Sequence, residues 1–248
     1  MMAGDRLKFH LRPIMTARRL PVVVMVIVLP GALLLPGCQS VMTSSSGSLV
    51  RVIDASSNAP ALDVYAGSDL IATNVGAPVI SNYALIASST LRTVDVDAHG
   101  TKTVGAQTTG SFPGNEEHSI FITDTGAGYQ AAVLTDQAIP APSGQIAVRF
   151  LQNASSSGAL DIYFVPDGSA VADAKPVATA LAPGTITAYI LIPVGTYDLI
   201  VVPTGTTTAR FTGKAVTYTT GQVRTALIVD EPVTSNPPIG VVVGDDLL

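Results

Sequence analysis

An internal repeat is the feature that most constrains the fold of this chain. Similar segments recur in the same order, first at a spacing of 98 residues and then, after a small insertion, at a spacing of 106 residues. The matched segments are 49–53 with 147–151, 61–65 with 159–163, 83–86 with 189–192, and 120–124 with 226–230. Because a single shift aligns the whole series, the repeat predicts two copies of one domain, at residues 48–138 and 145–248.

Each copy has the residue pattern of a β-sheet domain. Valine, isoleucine and threonine are abundant, glycine and proline turn signals interrupt them at short intervals, and no stretch after residue 38 keeps a helical hydrophobic period. Many short, evenly spaced strands are typical of an all-β sandwich or barrel. We therefore predict an all-β protein of two tandem antiparallel β-sandwiches, joined by a short proline-containing linker at residues 139–144.

The first 37 residues have the layout of a secretory leader. A basic region is followed by an apolar stretch at residues 20–35 and by the small residue Gly37. Prolines and a glycine interrupt this stretch, which argues against a transmembrane helix, since such a helix needs roughly 20 uninterrupted apolar residues. We predict a signal peptide at residues 1–37, and a twin-arginine signal at residues 18–19 is the less favoured alternative.

Cys38 is the only cysteine of the chain and directly follows the predicted leader. Residues 33–38, Leu-Leu-Leu-Pro-Gly-Cys, resemble the bacterial lipobox, which has an aliphatic residue three before the cysteine and a small residue one before it. The resemblance implies cleavage between Gly37 and Cys38 and lipidation of Cys38, so that the membrane is one partner and residues 38–47 form a flexible tether. A plain secretory leader that leaves Cys38 free is the alternative, although a lone exposed thiol is unusual in an oxidising compartment.

The residues that follow the leader indicate where the mature chain is located and which partners it can have. Gln39, rather than an aspartate, follows the cysteine, which in Gram-negative relatives indicates the outer membrane. Removing residues 1–37 leaves eight basic and 17 acidic side chains, a formal net charge of −9. An acidic surface repels phosphate backbones, so we expect no nucleic acid partner and instead an envelope protein or glycan.

Residues 50–65 and several later segments resemble a known bacterial domain family. The later segments are residues 72–75, Tyr83 and, in the second copy, residues 191–199. Together they are similar to domain of unknown function 4397, which exported proteins carry in one or more copies. The resemblance covers nearly all of the mature chain and implies an immunoglobulin-like β-sandwich in the cell envelope. The family has no established activity, so the resemblance implies no catalytic residue and no cofactor.

Side chains that usually carry catalysis or metal binding are sparse and scattered. After the leader the histidines are His99 and His118, which do not stand at metal-ligand spacing, and no nucleophile elbow, metalloprotease helix or phosphate-binding loop occurs. Asp95 and Asp97 alternate along one strand and are interpreted as a solvated face. We therefore expect no enzyme, metal or cofactor, and predict a non-catalytic envelope lipoprotein for adhesion, scaffolding or partner binding.

A glycan-binding or small-ligand-binding module is the second hypothesis. Its candidate surface is an aromatic platform built from tyrosines, namely Tyr65, Tyr83, Tyr163, Tyr189 and Tyr197. Four of the five are matched between the copies, which favours half-buried packing with the hydroxyl at the rim of the domain. The chain also has no tryptophan, the residue most typical of such platforms. A hydrolase is the third and least favoured hypothesis.

Two charged positions are repeated although charged side chains make up only 12% of the chain. Arg51 is matched by Arg149, and Asp63 is matched by Asp161. If the first two strands of each copy are neighbours, each arginine can meet the aspartate of its own copy as a cross-strand ion pair. We therefore predict the structural pairs Arg51 with Asp63 and Arg149 with Asp161. The alternative is that each aspartate binds a cation or ligand.

Overall fold

The computed structural model describes residues 46–231 and 238–247. The predicted leader, Gly37, Cys38 and most of the tether lie outside the described residues. Within these residues the chain is almost entirely β: it forms 18 strands and one 3-10 turn, Val171–Asp173. The prediction of an all-β fold is confirmed.

The first nine strands form two sheets, here called the first module. The strands are β1 (Ser48–Asp54), β2 (Leu62–Ala66), β3 (Asp69–Val75), β4 (Val79–Ile80), β5 (Ala84–Ile86), β6 (Ser89–Ala98), β7 (Val104–Phe112), β8 (Glu117–Thr125) and β9 (Gly128–Thr135). Inner sheet 1 has the order β4-β1-β8-β9, with β5 also paired to β1. Outer sheet 1 has the order β3-β2-β6-β7.

The remaining strands form two further sheets, here called the second module. The strands are β10 (Gln145–Asn153), β11 (Leu160–Pro166), β12 (Ala178–Leu181), β13 (Ile190–Pro193), β14 (Gly195–Pro203), β15 (Phe211–Thr212), β16 (Val216–Tyr218), β17 (Val223–Asp230) and β18 (Ile239–Asp245). Inner sheet 2 has the order β13-β10-β17-β18. Outer sheet 2 has the order β12-β11-β14-β15, with β16 also paired to β14.

Most neighbouring strands run antiparallel, but each inner sheet contains one parallel pair. β1 runs parallel to β8, and β10 runs parallel to β17. A hairpin from β1 to its neighbour would force an antiparallel pair. β8 is instead reached from the outer sheet, by way of β7, and this route allows the parallel orientation. The sandwiches are therefore mixed where purely antiparallel ones were expected.

Alternating apolar side chains fill the space between the two sheets of each module. In the first module Val50 and Val52 of β1 are completely buried in this core. Phe150 of β10 holds the corresponding place in the second module. Successive side chains of a strand point to opposite faces, so Arg51 and Ile53 point away from the core of the first module.

The outward faces of the two inner sheets pack against each other. The contact contains an apolar cluster with Ile53 and Phe121 from the first module and Leu151 and Leu227 from the second. These residues are matched in the repeat, at spacings of 98 and 106. Each inner sheet is therefore covered on both faces, and the described residues 46–231 and 238–247 belong to one compact unit.

Candidate functional site

The ion pairs predicted within each copy do not form, so the expectation for Arg51 with Asp63 and for Arg149 with Asp161 was wrong. The first two strands of each module lie in different sheets, because β1 and β10 belong to the inner sheets and β2 and β11 to the outer ones. A cross-strand pair needs neighbouring strands of one sheet. Both arginines instead point out of their own module and toward the other one.

Arg51 lies in the contact between the modules with 1% of its surface exposed. Its Nε donates a hydrogen bond to Ser119 Oγ at 2.8 Å, within inner sheet 1. Nη1 donates to the carbonyl oxygen of Asp245 at 2.8 Å. Nη2 forms a salt bridge with Asp246 Oδ1 at 2.5 Å and a longer hydrogen bond to Thr225 Oγ1 at 3.3 Å. Apart from Ser119, these partners belong to the second module.

Arg149, the matched residue of the second module, makes the reciprocal contacts. Its Nη2 forms a salt bridge with Asp136 Oδ1 at 2.6 Å and donates a hydrogen bond to Thr225 Oγ1 at 3.0 Å. Its Nη1 donates to the carbonyl oxygen of Thr135 at 3.4 Å. Asp136 directly follows β9 of the first module. Each arginine is therefore paired with an aspartate from the other module.

Asp136 is held in place by two groups of its own module. Its Oδ2 accepts hydrogen bonds from the Tyr83 hydroxyl at 2.7 Å and from Ser119 Oγ at 2.6 Å. The Tyr83 ring also lies beneath the Arg51 guanidinium, whose carbon is 4.7 Å from the ring centroid. This geometry is that of a cation–π contact, so Tyr83 supports both an aspartate and an arginine.

Asp246 is held in the same way by the matched residues. Its Oδ2 accepts hydrogen bonds from the Tyr189 hydroxyl and from Thr225 Oγ1, both at 2.6 Å. The guanidinium carbon of Arg149 lies 5.0 Å from the centroid of the Tyr189 ring. Residues matched in the sequence thus occupy matched places around a pseudo-twofold axis. We call this set the inter-module network: Arg51, Tyr83, Ser119, Asp136, Arg149, Tyr189, Thr225 and Asp246.

Burial and mutual charge determine the proton affinities in the inter-module network. Burial opposes the positive charge of Arg51, but the carboxylates of Asp246 and Asp136 outweigh it and raise the pKa of the guanidinium. Burial also raises the pKa of Tyr83 and of Tyr189, so both hydroxyls remain protonated and act as donors. The network is suited to holding two modules in one orientation, because every charge in it has an opposite charge across the contact.

Glu117 lies beside the inter-module network without an opposite charge of its own. The residue is 7% exposed, and its Oε2 has no hydrogen-bond partner among the described residues. Burial, with the negative charges of Asp136 and Asp246 as smaller causes, raises the pKa of Glu117 to about 7. This carboxyl group therefore changes its charge near neutral pH.

Asp63 organises a local turn in outer sheet 1. Its Oδ1 accepts hydrogen bonds from Thr73 Oγ1 at 2.7 Å and from the Asn74 backbone at 3.0 Å, and lies 2.9 Å from His99 Nδ1. The contact with His99, followed by those with Thr73 and Asn74, holds the pKa of Asp63 well below its usual range. The carboxylate is thus satisfied by groups of its own module.

Asp161 occupies the matched place in outer sheet 2. It accepts hydrogen bonds from the Ala180 backbone at 2.8 Å and from Thr204 Oγ1 at 2.9 Å. Burial alone would raise the pKa of Asp161, but these hydrogen bonds outweigh it and lower the pKa. Strand pairing shifts register beside both aspartates, and Asn74 and Ala180 have φ angles of 52° and 51°. The two aspartates therefore stabilise irregular strand segments whose backbone is rarely adopted by residues other than glycine.

Two open grooves of similar size lie where the modules meet. One, of about 370 Å³, lies between the β4–β5 segment and β18, and Tyr83 and Asp245 are among its lining residues. The other, also of about 370 Å³, lies between β8, β9 and residues 183–186, and Phe121 and Asn153 line part of it. Residues of both modules contribute to each groove, so neither groove would exist in a single module.

The sequence reasoning identified the two arginines but missed most of their partners. The missed residues are Ser119, Asp136, Thr225 and Asp246, and the hydroxyls of Tyr83 and Tyr189 lie inside the network and not at a rim. A signal was present in β1, where Val50 and Val52 form the core face. Ile53 shares the opposite face with Arg51, and an apolar residue at that place indicates a second buried face.

Cys38 and Gly37 lie outside the described residues, so lipidation and cleavage stay predictions. Across residues 46–231 and 238–247, no helix is long and apolar enough to cross a membrane. The same residues contain no group of three or more histidine, cysteine, aspartate or glutamate side chains placed to hold a metal ion.

Comparison with known proteins finds a family that part of the chain resembles. Residues 48–163 match a family model described as Domain of unknown function (DUF4397). The match covers the first module, the linker, β10 and part of β11. Among solved structures, a candidate cell adhesion protein from Bacteroides ovatus is similar at 12% sequence identity and a TM-score of 0.25, over 82% of this chain and 98% of that chain. None of the curated proteins compared with the chain matches it.

Proposed function

Because residues 48–163 carry a DUF4397-like domain, we propose that this chain is a non-catalytic cell-envelope lipoprotein that displays two β-sandwich modules for adhesion, scaffolding or partner binding. The inter-module network is the observation that supports the proposal most directly. Its charged side chains are 0–5% exposed, and they bond to each other across the module contact. This buried polar constellation therefore serves to orient the modules.

A fixed orientation suits a display protein. Burying an arginine and a carboxylate is costly, and the cost is recovered only when geometry and hydrogen bonding are nearly complete, as they are for Arg51 with Asp246. Such pairs select one arrangement over others, because any sliding of one module on the other would leave a buried charge unpaired. The loops of both modules then keep a constant spacing, which favours binding to a large partner at two places.

The glycan-binding hypothesis receives less support from the geometry. Tyr83 and Tyr189 donate their hydroxyls to buried aspartates, so their rings are not available for a surface platform. Tyr163 is only 8% exposed. Three of the five tyrosines that suggested a sugar-binding face are thus buried or hold structural contacts, and a partner of protein character is the more economical proposal.

The anchor is tested by replacing the cysteine. Cells expressing the full chain are labelled with palmitate, and the protein is followed through membrane fractionation. The wild-type chain and a Ser40→Ala control should incorporate label and stay with the membranes, whereas Cys38→Ala should do neither. Equal labelling of Cys38→Ala would contradict the lipoprotein proposal.

The non-catalytic, partner-binding role is tested with the purified Cys38→Ala protein. Immobilised protein should retain a specific envelope component that a heat-denatured sample does not retain. Ester, peptide and glycoside substrates should show no turnover above the same denatured control. Turnover that depends on the folded protein would contradict the proposed non-catalytic role.

A further inference from the structure

The two modules lie side by side, and their matched strands β1 and β10 begin at the same end of the pair. At the middle of β1, Arg51 contacts Thr225, which lies opposite Arg149 at the middle of β10. Beyond the end of β1, the carbonyl oxygen of Ala55 accepts a hydrogen bond of 2.9 Å from Nδ2 of Asn153, the last residue of β10. β1 and β10 therefore run in the same direction. The end of the pair that contains the starts of both strands is here called the basal end.

The chain enters the first module at the basal end. Gly47 directly precedes β1, and its carbonyl oxygen accepts a hydrogen bond from the Asn115 backbone at 2.9 Å. A Cβ at Gly47 would lie 2.6 Å from Leu85 Cδ1, so the leucine side chain covers this point of the backbone. Leu85 therefore flanks the place where the chain arrives from Cys38.

Large apolar side chains are exposed at the basal end, and five of them lie close to the starts of β1, β6 and β10. They are Leu85 (71% exposed), Leu91 (68%), Ile139 (71%), Leu191 (47%) and Val194 (39%). Leu85 and Leu191 are repeat partners in β5 and β13, and they lie opposite residues near the starts of β1 and β10. Leu91 lies near the start of β6, while Ile139 and Val194 lie in the linker and in the β13–β14 turn beside the start of β10.

We propose that the basal end is a membrane-docking surface whose five apolar side chains enter the interface of the bilayer that holds the anchor. This inference rests on the proposed lipidation of Cys38. A fully extended tether of residues 39–47 spans about 30 Å, so the anchor keeps the basal end close to the lipid headgroups. Leucine, isoleucine and valine side chains gain free energy there in proportion to the apolar area they bury. The lipid surface is the occupant, because the covalent anchor holds it beside this end.

The charges at the basal end determine which bilayer it prefers. Arg92 and Asp69 compensate each other in a salt bridge of 2.5 Å. Glu116, whose side chain is 46% exposed, adds negative charge next to β8. Acidic groups repel anionic lipids within a Debye length of about 10 Å at 0.1 M salt. Docking should therefore be stronger on zwitterionic phosphatidylcholine bilayers than on bilayers rich in phosphatidylglycerol.

The depth to which the basal end enters the bilayer is measured on the full lipidated chain. Leu85→Cys introduces a thiol that alone takes a fluorophore, since Cys38 is the only native cysteine and is acylated. Val104→Cys is the matched control, because Val104 is 49% exposed and opens β7 at the opposite end. On phosphatidylcholine vesicles that contain brominated lipid, quenching should be several-fold greater at residue 85 than at residue 104. Equal quenching at both places would overturn the proposal.

A second measurement does not depend on the anchor. In the Cys38→Ala protein, Leu85→Ser with Ile139→Ser should lower partition onto phosphatidylcholine vesicles by about tenfold, whereas Val104→Ser with Ile186→Ser should leave it unchanged. Equal losses in both variants, or no loss in either, would overturn docking through the basal end. If the proposed lipidation fails, the full chain shows a free Cys38 thiol. The docking proposal is then decided by comparing vesicle partition of the two double-serine variants, which does not need the anchor.

Discussion

Two pairs of repeated charged residues have opposite kinds of partner. One pair is the arginines of the inter-module network, and the other is the aspartates of the two outer sheets. Arg51 and Arg149 are paired with aspartates from the other module. Asp63 and Asp161 are satisfied by backbone and side-chain groups of their own module. Both sets are matched at the same spacing of 98 residues, so they look alike in the sequence. The difference teaches that a repeat marks a position as structural without saying whether its partner lies in the same copy.

The contrast has a simple origin in the direction of the side chains. Arg51 lies on the face of inner sheet 1 that the second module covers, so water is excluded from it. Asp63 lies in outer sheet 1 beside a register shift, where unpaired backbone N–H groups are available. The first environment makes a buried charge depend largely on partners from the other module, and the second distributes the charge over several donors of the same module.

The largest expected effect comes from breaking a salt bridge of the inter-module network. Asp246→Asn leaves the Arg51 guanidinium buried without its direct counter-ion, and should lower the free energy of unfolding by about 3–5 kcal/mol. Arg51→Met combined with Asp246→Asn should recover part of the loss. Urea denaturation of the Cys38→Ala protein measures both. The double-mutant cycle should give a coupling energy above about 1 kcal/mol.

The same cycle can be run on the pair that the sequence suggested. Arg51→Met and Asp63→Asn should be additive within about 0.5 kcal/mol, because the two residues share no partner. A strong coupling between Arg51 and Asp63, together with none between Arg51 and Asp246, would contradict the exchanged pairing.

Glu117 should make stability depend on pH. Its pKa of about 7 lies above the ordinary value of 4.5, so the folded state binds the proton more tightly than the unfolded state. The contribution of Glu117 to the free energy of unfolding is therefore largest below pH 4.5. It falls by on the order of 3 kcal/mol as pH rises through the window from 4.5 to 7. Glu117→Gln should remove this component.

The measurement compares the free energy of unfolding at pH 5 and pH 7.5 for the wild-type chain and for Glu117→Gln. Glu116→Gln is the matched control, because Glu116 is the neighbouring residue and has a side chain that is 46% exposed. A Glu117→Gln protein with the same pH dependence as the wild type would show that this carboxyl group does not titrate in the folded state as argued.

Removing the carboxylate of Asp63 should have a smaller effect than breaking the network. Asp63→Ala abolishes its contacts with Thr73, Asn74 and His99 and should cost about 1–3 kcal/mol. Because the pKa of Asp63 is lowered on folding, its contribution is present above the ordinary value of 3.8 and is lost as pH falls below it.

Thermal melting at pH 7 and pH 3 measures this effect. The exposed Asp173→Ala is the control and should change stability by less than about 0.5 kcal/mol. An Asp63→Ala protein as stable as that control would mean that the hydrogen bonds around Asp63 do not hold the strand segment.

The smallest expected effect is at the salt bridge of Arg92 with Asp69. Its geometry, at 2.5 Å, is as close as that of Arg51 with Asp246, but its side chains are 18% and 40% exposed. Arg92→Gln should therefore change the urea-derived free energy of unfolding by about 1 kcal/mol or less. A loss comparable to that of Asp246→Asn would show that burial is not what separates the two regions.

Much of the fold could be predicted because it depends on local patterns. The strand that closes inner sheet 2 is an example: the run of β-branched residues at 240–243, Gly-Val-Val-Val, predicts a strand, and it lies within β18 (Ile239–Asp245). Alternation along β1 likewise indicates that Val50 and Val52 enter the core. Such features depend on residues adjacent in the chain, where side-chain period and turn chemistry act directly.

Residue patterns alone establish the all-β class, the repeated positions and the scarcity of charge that makes Arg51 and Arg149 conspicuous. The exchange of aspartates between the modules depends on long-range packing. Period-2 alternation assigns Arg51 to a face of its strand, but what covers that face depends on how two inner sheets pack. Asp246 lies 195 residues away from Arg51 along the chain, and Asp136 lies 13 residues away from Arg149. In each pair the two residues belong to different modules, so only the packing of the modules brings them within salt-bridge distance.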